Sequence, residues 1–253
     1  ASNNTAIGKE ALYANTTGYS NTAVGAAALG ANTTGRDSVA LGHLALMSNT
    51  EGYANTAIGF NTLRTCTTGD DNIAIGDRAL YYTTTGNNNV AMGYLAGYDL
   101  TSGTNNVFIG ASAGRGGSPG GETTTSSNRV VLGDNSIANA YVKVDWTVGS
   151  DERDKADITN FTHGLNYINE LRPVNFVWDN RSFYEDNVRD GTQKKDLIDI
   201  GFLAQEVQAI ETDLGIDNHA IVDTSNSDSF GMKYNKLIPV LVNAIQELST
   251  ENE

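Results

Sequence analysis

A glycine that returns every 17 residues is the feature that most constrains how this chain can fold. It occupies seven positions: Gly8, Gly25, Gly42, Gly59, Gly76, Gly93 and Gly110. A second glycine series follows the first by 10 residues, usually after two threonines, at Gly18, Gly35, Gly52, Gly69, Gly86 and Gly103. A fixed period of this length is typical of stacked repeats, and the two glycines predict two turn points in each repeat.

The residues before the first glycine keep their chemical type. The position directly before it is always apolar: Ile7, Val24, Leu41, Ile58, Ile75, Met92 and Ile109. The position three before it is always β-branched: Thr5, Thr22, Val39, Thr56, Ile73, Val90 and Val107. Alternation along a short strand places both columns on one face, and an alanine column lies between them. We expect the two apolar columns to point inwards.

Two further columns lie in the turns. Leucine recurs four residues after the glycine and then lapses to glycine: Leu12, Leu29, Leu46, Leu63, Leu80, Gly97 and Gly114. Asparagine recurs with Ser38 as the exception: Asn4, Asn21, Asn55, Asn72, Asn89 and Asn106. The asparagines predict either a ladder of side-chain hydrogen bonds or ordinary turns. Because one repeat has too few inward apolar residues to bury a core alone, stability is expected from stacking and lateral association.

The register of residues 4–114 resembles the repeats in the heads of trimeric bacterial adhesins and in many viral fibres. That resemblance implies an N-terminal all-β region of the β-roll or solenoid type, assembled as a trimeric fibre. The period ends in residues 114–128, where glycine, serine and threonine without an apolar anchor predict a flexible loop. Residues 129–149 are predicted to be a terminal β segment, with a last repeat at residues 129–133 and a strand at 141–148.

Composition changes near residue 150, because 22 of the 27 glycines come before it and most of the acidic excess comes after it. We therefore predict two domains, residues 1–149 and 150–253. In the second, helical spacing, an alternating strand, a strand-to-helix element and a short strand follow one another. Their positions are Leu165, Ile168 and Leu171; Val174, Phe176 and Trp178; residues 200–210; and residues 220–222.

The last segment predicts a helix that packs against partner helices. Its apolar seam steps by three and four residues through Tyr234, Leu237, Leu241, Ala244 and Leu248, with Ile238 and Ile245 beside it. Packing on its own domain is the alternative, and Pro239 must lie near the helix start or kink it.

Three segments of the second domain resemble one family in the same order. They are Ser150-Asp151-Glu152-Arg153-Asp154-Lys155, then Gly201-Phe202-Leu203-Ala204-Gln205-Glu206-Val207, then residues 234–248. They are similar to the peptidase S74 intramolecular chaperone of phage tailspikes and tail fibres. The resemblance implies a small α+β domain that forms a homotrimer, drives assembly of the fibre ahead of it and detaches by autoproteolysis. It also implies a place in the virion, assembly in the host cytoplasm, and a host receptor or glycan for the full fibre.

By this resemblance, Ser150 attacks the carbonyl of Gly149 and Lys155 is the general base. A serine hydroxyl needs such a base, and a lysine can serve only when desolvation or a nearby positive charge lowers its pKa. Arg153 is a candidate for that charge, and Asp151 and Asp154 are further candidates for supporting roles. The spacing of Ser150 and Lys155 alone would favour a plain polar turn between domains, and it is the resemblance that makes the two residues catalytic candidates.

Composition excludes several classes of protein. A net charge of −14 disfavours nucleic acid, and no apolar run reaches the length of a membrane helix. Cys66 is the single cysteine and cannot form an intrachain disulfide. His163 and His219 are isolated, so neither a metal nor a cofactor is predicted. Since the sequence begins inside a repeat and without Met, we expect a C-terminal fragment of a longer protein.

Three alternatives remain for the function. In the first, the chain is a non-enzymatic adhesin whose Thr and Asn columns bind a glycan or ice, with a structural trimerisation domain. A polysaccharide-degrading enzyme is the second, but Glu10, Glu51, Asp70 and Asp71 share no register that would pair an acid with a base. The third is a membrane transcription factor with this chaperone domain, which would need a basic module and a membrane helix.

Overall fold

A computed structural model describes the chain except for residues 1–2, 117, 119–120, 138, 144–146, 182–183, 185–187, 217–219, 226–229 and 253. The chain divides into two compact units, Ala1–Ala138 and Asn139–Glu253. The first is an all-β solenoid and the second is a small α+β unit with a C-terminal helix, which confirms the predicted fold class. The predicted domain boundary between residues 149 and 150 stays a prediction.

The solenoid contains one parallel sheet in which strands pair in the order of the sequence. Its eight strands are β1 (Thr5–Ile7), β2 (Thr22–Val24), β3 (Val39–Leu41), β4 (Thr56–Ile58), β5 (Ile73–Ile75), β6 (Val90–Met92), β7 (Val107–Ile109) and β8 (Val130–Leu132). Each residue from β1 to β6 pairs with its counterpart one period later, as Ala6 does with Ala23. The glycine period therefore sets the strand register.

The strands turn the opposite face to the core from the one we predicted. The central residue of each strand is buried from β2 onwards: Ala23, Ala40, Ala57, Ala74, Ala91, Phe108 and Val131. The two flanking columns point outwards, and Ile7, Leu41 and Ile109 are 60%, 45% and 44% exposed. The leucine column already fills the narrow interior of each coil, so the inward strand position has room for little more than a methyl group in most rungs.

The leucine column supplies the large side chains of this core. Leu29, Leu46, Leu63 and Leu80 are fully buried, and each adopts a left-handed backbone with φ of 49° or 50°. The column lapses where Phe108 replaces alanine in β7. A Cβ on Gly97 would lie 2.8 Å from Phe108 Cδ2 and 2.7 Å from Leu80 Cδ2. The glycine makes room for the phenyl ring, so core volume is exchanged between the two columns.

The predicted asparagine ladder is confirmed. Asn72 Nδ2 donates to Asn55 Oδ1 at 3.1 Å and to the carbonyl of Gly86 at 2.8 Å. Asn72 Oδ1 in turn accepts from the backbone N–H and the side chain of Asn89, both at 3.0 Å. Ser38 keeps part of this pattern, because its hydroxyl oxygen accepts from the N–H of Asn55 at 3.2 Å. The buried ladder satisfies backbone groups at the corner of each rung.

A second asparagine ladder was not predicted. Asn32 Nδ2 donates to Asn15 Oδ1, and Asn49 Nδ2 donates to Asn32 Oδ1, both at 2.9 Å. Cys66 takes the next place and leaves Asn49 Oδ1 buried without a hydrogen-bond partner. Burial also raises the pKa of the Cys66 thiol to about 12. This cysteine is therefore an interruption of the ladder inside the core.

Part of the predicted flexible loop is instead the corner of the last rung. Thr123 is fully buried, and its hydroxyl donates to the carbonyl of Gly114 at 2.8 Å. The N–H of Thr101 donates to the carbonyl of Thr124 at 2.7 Å, and β8 pairs with β7 as the predicted last repeat. Polar side chains anchor this corner, so the lack of apolar residues in the sequence led to the wrong prediction of a flexible loop. Residues 117, 119 and 120 of that loop lie outside the described residues.

The second unit begins with an irregular segment. The predicted strand at 141–148 is wrong for the residues of it that are described, 141–143 and 147–148, which are not in a strand. Tyr141 is 91% exposed and Val148 is 71% exposed, so neither finds a surface in its own chain to pack against. A β-rich composition alone does not make a strand without a partner to pair with.

The predicted helices and strands of the second unit are otherwise confirmed with small shifts. They are a 3-10 turn (Glu152–Asp154), α1 (Leu165–Glu170), β9 (Val174–Val177), β10 (Ile198–Gly201), α2 (Ala204–Asp213), β11 (Val222–Asp223), β12 (Gly231–Met232), a second 3-10 turn (Tyr234–Lys236) and α3 (Leu237–Glu251). β9 pairs antiparallel with β10, and β11 pairs antiparallel with β12. Pro239 lies in the first turn of α3, where a missing N–H is tolerated. The core contains Tyr167, Val207, Ile221, Val222, Leu237 and Val240.

Candidate active site

The side chains of Ser150 and Lys155, the two predicted catalytic residues, lie within hydrogen-bond distance in the second unit. Lys155 Nζ lies 2.8 Å from Ser150 Oγ. The 3-10 turn between them brings the two together, since the N–H of Asp154 donates to the carbonyl of Asp151 and that of Lys155 to the carbonyl of Glu152. The serine hydroxyl thus has an amine within hydrogen-bond distance, which is the arrangement that activation of a hydroxyl nucleophile requires.

Asp151 caps this turn and pairs with Arg153. The Asp151 carboxylate accepts from the backbone N–H of Arg153 at 2.9 Å and from Arg153 Nε at 3.0 Å. The guanidinium of Arg153 lowers the pKa of the Asp151 carboxyl, and the carboxylate raises the pKa of Arg153. Arg153, which we predicted as a positive charge near Lys155, thus forms an ion pair with Asp151, and its effect on Lys155 stays a prediction.

The site is open to solvent. All residues from Thr147 to Phe161 are exposed, and a Cβ placed on Gly149 would meet no atom within 4 Å. No atom therefore crowds Gly149 at the position where a side chain would begin. A single chain does not, however, supply the desolvation that a lysine needs to act as a base. Asp154 is exposed as well, and its role stays a prediction.

The solenoid carries an extended apolar surface on its sheet. We call the outward first and third residues of β1 to β8 the outer strand face. It runs across all eight strands and is mostly apolar, with threonine at the first position of β1, β2 and β4. At its last strand Val130 is 70% exposed and Leu132 is 49% exposed. A strip of exposed, mostly apolar residues is typical of a surface that another protein covers.

Helix α3 has two apolar faces. Leu237, Val240 and Ala244 are buried in the second unit, with Leu237 and Val240 in its core. A neighbouring face exposes Ile238, Leu241, Ile245 and Leu248, which are spaced by three, four and three residues. We call these four residues the exposed helix seam. It has the spacing of a coiled-coil seam.

The structure thus divides the residues predicted for trimerisation. Tyr234, Leu241 and Leu248 are 48%, 46% and 46% exposed, whereas Leu237 is 8% exposed and packs in the core of its own unit. Sequence spacing allowed both alternatives, because a helix with two apolar faces offers several seams of equal quality. The trimerisation helix itself stays a prediction.

The motif at residues 201–207 meets the C-terminal segment. The N–H of Phe202 donates to Tyr234 Oη at 3.3 Å, and a Cβ on Gly201 would lie 2.5 Å from that oxygen. The glycine is needed because the tyrosine hydroxyl occupies the space of a side chain. Val207, the last residue of the motif, is 1% exposed in the core. These residues of the motif hold the unit together.

Two glutamates that sequence reasoning missed connect elements of this unit. Glu211 is fully buried and accepts from the N–H groups of Ile221 and Val222 at 2.8 and 3.3 Å. Glu247 of α3 accepts from the N–H of Leu165 at 2.6 Å and so caps α1. A glutamate on a helix reads as a solvated residue in sequence, so no local pattern distinguishes either of them.

Other kinds of site find little support in the part of the chain that the structure describes. There, no three His, Cys, Asp or Glu side chains are grouped so that they could hold a metal ion. His163 lies against the ring of Phe161 and beside Asn166, while His219 is outside the described residues. Among the helices described, none combines the length and apolarity needed to cross a bilayer.

An exposed serine–lysine pair at the head of a small α+β unit defines a candidate self-cleaving domain. Residues 150–216 match the family model of the chaperone of endosialidase, peptidase S74, and the match begins at Ser150 itself. This match confirms the resemblance drawn from the motifs for residues 150–216. Comparison with curated proteins found no match, and comparison with solved structures found none either.

Proposed function

We propose that this chain is the C-terminal segment of a phage tail fibre or tailspike that contacts a host receptor or glycan. Residues 150–253 drive folding of a homotrimer and are then released by autoproteolysis between Gly149 and Ser150. One observation carries the proposal: Lys155 Nζ lies 2.8 Å from Ser150 Oγ at the first residue of the family match.

The reaction begins with the peptide bond that precedes the nucleophile. Ser150 Oγ forms a bond to the carbonyl carbon of Gly149, and the unprotonated amine of Lys155 takes the hydroxyl proton. When the carbon–nitrogen bond breaks, Lys155 returns that proton to the leaving nitrogen of Ser150. Gly149 is then held as an ester on the serine side chain. Water hydrolyses this ester, which leaves a carboxylate on Gly149 and restores the hydroxyl of Ser150.

Assembly provides the desolvation that a single chain lacks. Three large apolar residues lie near the serine–lysine pair in the sequence. They are Val148, Ile158 and Phe161, which are 71%, 65% and 41% exposed. Neighbouring copies that cover these side chains would also exclude water from Lys155 and favour its neutral form. Cleavage is therefore expected to follow assembly and to be slow in isolated chains.

Two apolar surfaces support a homotrimer. The outer strand face gives the solenoid a strip for lateral association, and the exposed helix seam gives the chaperone a coiled-coil contact. Both are long and regular, as expected for surfaces that meet copies of the same chain. Light scattering that finds a stable folded monomer would contradict this part of the proposal.

Release of the chaperone makes folding irreversible. Once residues 150–253 have left, the solenoid trimer no longer carries the segment that nucleates its assembly, so refolding becomes slow. The remaining trimer is then protected by the height of its unfolding barrier. The function of the cleavage would therefore be to make the fibre kinetically stable.

A denaturing gel of the purified protein and of Ser150→Ala tests the proposal. The unaltered chain should give two bands in proportion to 149 and 104 residues, at a rate independent of protein concentration once trimers have formed. Ser150→Ala should remain intact and assemble normally, because removing one exposed hydroxyl costs little stability. An unaltered protein that assembles and stays in one piece would favour a binding protein without enzymatic activity.

One threonine column gives that alternative little support. In the column Thr16, Thr33, Thr50, Thr67, Thr84 and Thr101, each hydroxyl donates to the backbone carbonyl of the next rung. These donors stabilise the stack and are not available to a glycan or to ice. We therefore do not propose this column as a binding surface.

A further inference from the structure

We propose that Asp151 is the positioning residue of the serine–lysine pair, and that Arg153 holds Asp151 in place. The inference rests on the proposed self-cleavage and assigns functions to two residues that sequence reasoning could only name as supporting candidates. Asp151 would act through geometry alone, since the described contacts of its carboxylate are all with Arg153.

The distance between Ser150 and Lys155 depends on one short turn. Glu152–Asp154 form a single 3-10 turn in a segment in which every residue is exposed, so no tertiary packing holds it. An isolated turn of this length is unstable in water, because fixing its backbone costs more than its few hydrogen bonds return. Local side-chain contacts must therefore decide how much of the time the turn is formed.

Asp151 provides such a contact. Its backbone is extended with φ of −67° and ψ of 132°, and its carboxylate accepts from the N–H of Arg153 two residues later. This is the geometry of an N-cap, in which an acceptor satisfies an N–H that the turn itself leaves without a partner. When the cap forms, residues 150 and 155 lie on the same side of the turn.

Arg153 restricts the cap to one orientation. Its Nε contacts both carboxylate oxygens, at 3.0 and 3.2 Å, and its Nη2 contacts Oδ2 at 2.5 Å. An ion pair this exposed contributes little to overall stability. A planar guanidinium nevertheless fixes the rotamer of the carboxylate it clamps. The pair thus raises the fraction of molecules in which Lys155 reaches the hydroxyl of Ser150 without changing the stability of the domain.

Cleavage rates of a small set of variants, followed after cell-free synthesis, test this assignment. Asp151→Ala, which removes both cap and ion pair, should cleave about tenfold more slowly. Asp151→Asn keeps the capping oxygen and should stay within about threefold of the unaltered protein. Asp154→Asn is the matched control, because it removes a neighbouring charge without touching the cap. Light scattering should find trimers for every variant.

Arg153→Ala completes the set as a double-mutant cycle. It should slow cleavage alone, but it should add nothing in the Asp151→Ala background, because its effect passes through the carboxylate. Equal rates for Asp151→Ala and the unaltered protein would overturn the assignment. So would an Asp151→Asn variant as slow as Asp151→Ala, since that result makes the charge the active feature. Failure of the unaltered protein to cleave would instead defeat the proposed self-cleavage.

Discussion

Lys155 Nζ and Ser150 Oγ lie 2.8 Å apart although five positions separate the two residues in the sequence. One 3-10 turn produces this contact, and a Cβ on the preceding Gly149 would meet no atom within 4 Å. Both residues are exposed, whereas a lysine base requires desolvation. The proposed cleavage should therefore depend on assembly.

Replacement of Lys155 tests its role as the base. Lys155→Ala should slow cleavage by about 10² to 10⁴ while leaving trimer formation intact. Lys155→Arg keeps the positive charge and the reach but cannot lose a proton, so it should be as slow as the alanine variant. Measurement is by densitometry of a denaturing gel over time. An arginine variant that cleaves at the normal rate would mean that charge alone is required.

The exposed helix seam should control assembly. Leu241→Asp places a charge in a surface that becomes desolvated in the trimer, so trimer yield and cleavage should both fall. Gln246→Asp is the matched control, because Gln246 is exposed on the same helix but lies outside the seam. Sedimentation or light scattering gives the oligomeric state. Normal yield from Leu241→Asp would show that assembly does not depend on this helix.

The asparagine ladder should be a main source of solenoid stability. Asn72→Ala removes the side-chain acceptor of the backbone N–H of Asn89 and the side-chain donor to the carbonyl of Gly86, which should cost about 2 to 4 kcal/mol. Asn72→Ser should cost less, because Ser38 already shows that a hydroxyl can accept from the next rung. Denaturant unfolding of the purified protein ranks the variants. Equal losses for alanine and serine would indicate that volume rather than hydrogen bonding matters at this position.

Phe108 and Gly97 should behave as a coupled pair. Phe108→Ala opens a cavity and should cost about 3 to 5 kcal/mol. Adding Gly97→Leu restores the leucine and alanine found in earlier rungs and should recover part of that loss. Gly97→Leu alone should be strongly destabilising, since a Cβ there already meets the ring. Additive effects in thermal unfolding of the four proteins would contradict the exchange of volume between the two columns.

Cys66 should resist thiol reagents while the solenoid is folded. Burial raises its pKa to about 12, so folding favours the protonated thiol. The stability this contributes is present below the ordinary thiol pKa and is lost as pH rises through the raised value. At pH 8, labelling should therefore proceed only at the rate of unfolding. Rapid labelling of the native trimer would show that the interior is open at this rung.

The sequence determines the solenoid register but not the direction in which its strands face. Alternation tells which residues share a face, yet Ala57 and Ile58 are both apolar, so hydrophobicity alone does not say which column is buried. The leucine column resolves this in the structure, because its side chains leave room for alanine. The corner of the last rung was missed for a different reason, because Thr123 anchors it through its hydroxyl, and a threonine among glycines and serines is typical of a loop.

The sequence predicted the residues of the candidate site better than it predicted their surroundings. From the motif and its spacing we expected Ser150 and Lys155 to lie close together. The pairing of Asp151 with Arg153 was not predicted, because the spacing of charged residues does not show which of them will form an ion pair. The predicted seam included Leu237, whereas the exposed helix seam of the structure includes Ile238 instead. Both residues fit a three-and-four spacing, and only the packing of α3 on its own unit distinguishes them.

In the proposed reaction, the hydroxyl of Ser150 cuts the peptide bond after Gly149. Mass spectrometry of protein that cleaves in the presence of hydroxylamine is the sharpest test, because that nucleophile captures an ester intermediate. We expect a fragment ending in a Gly149 hydroxamate, a second fragment beginning at Ser150, and an intact chain for Ser150→Ala. Cleavage of purified Ser150→Ala between residues 149 and 150 would show that Ser150 is not the nucleophile.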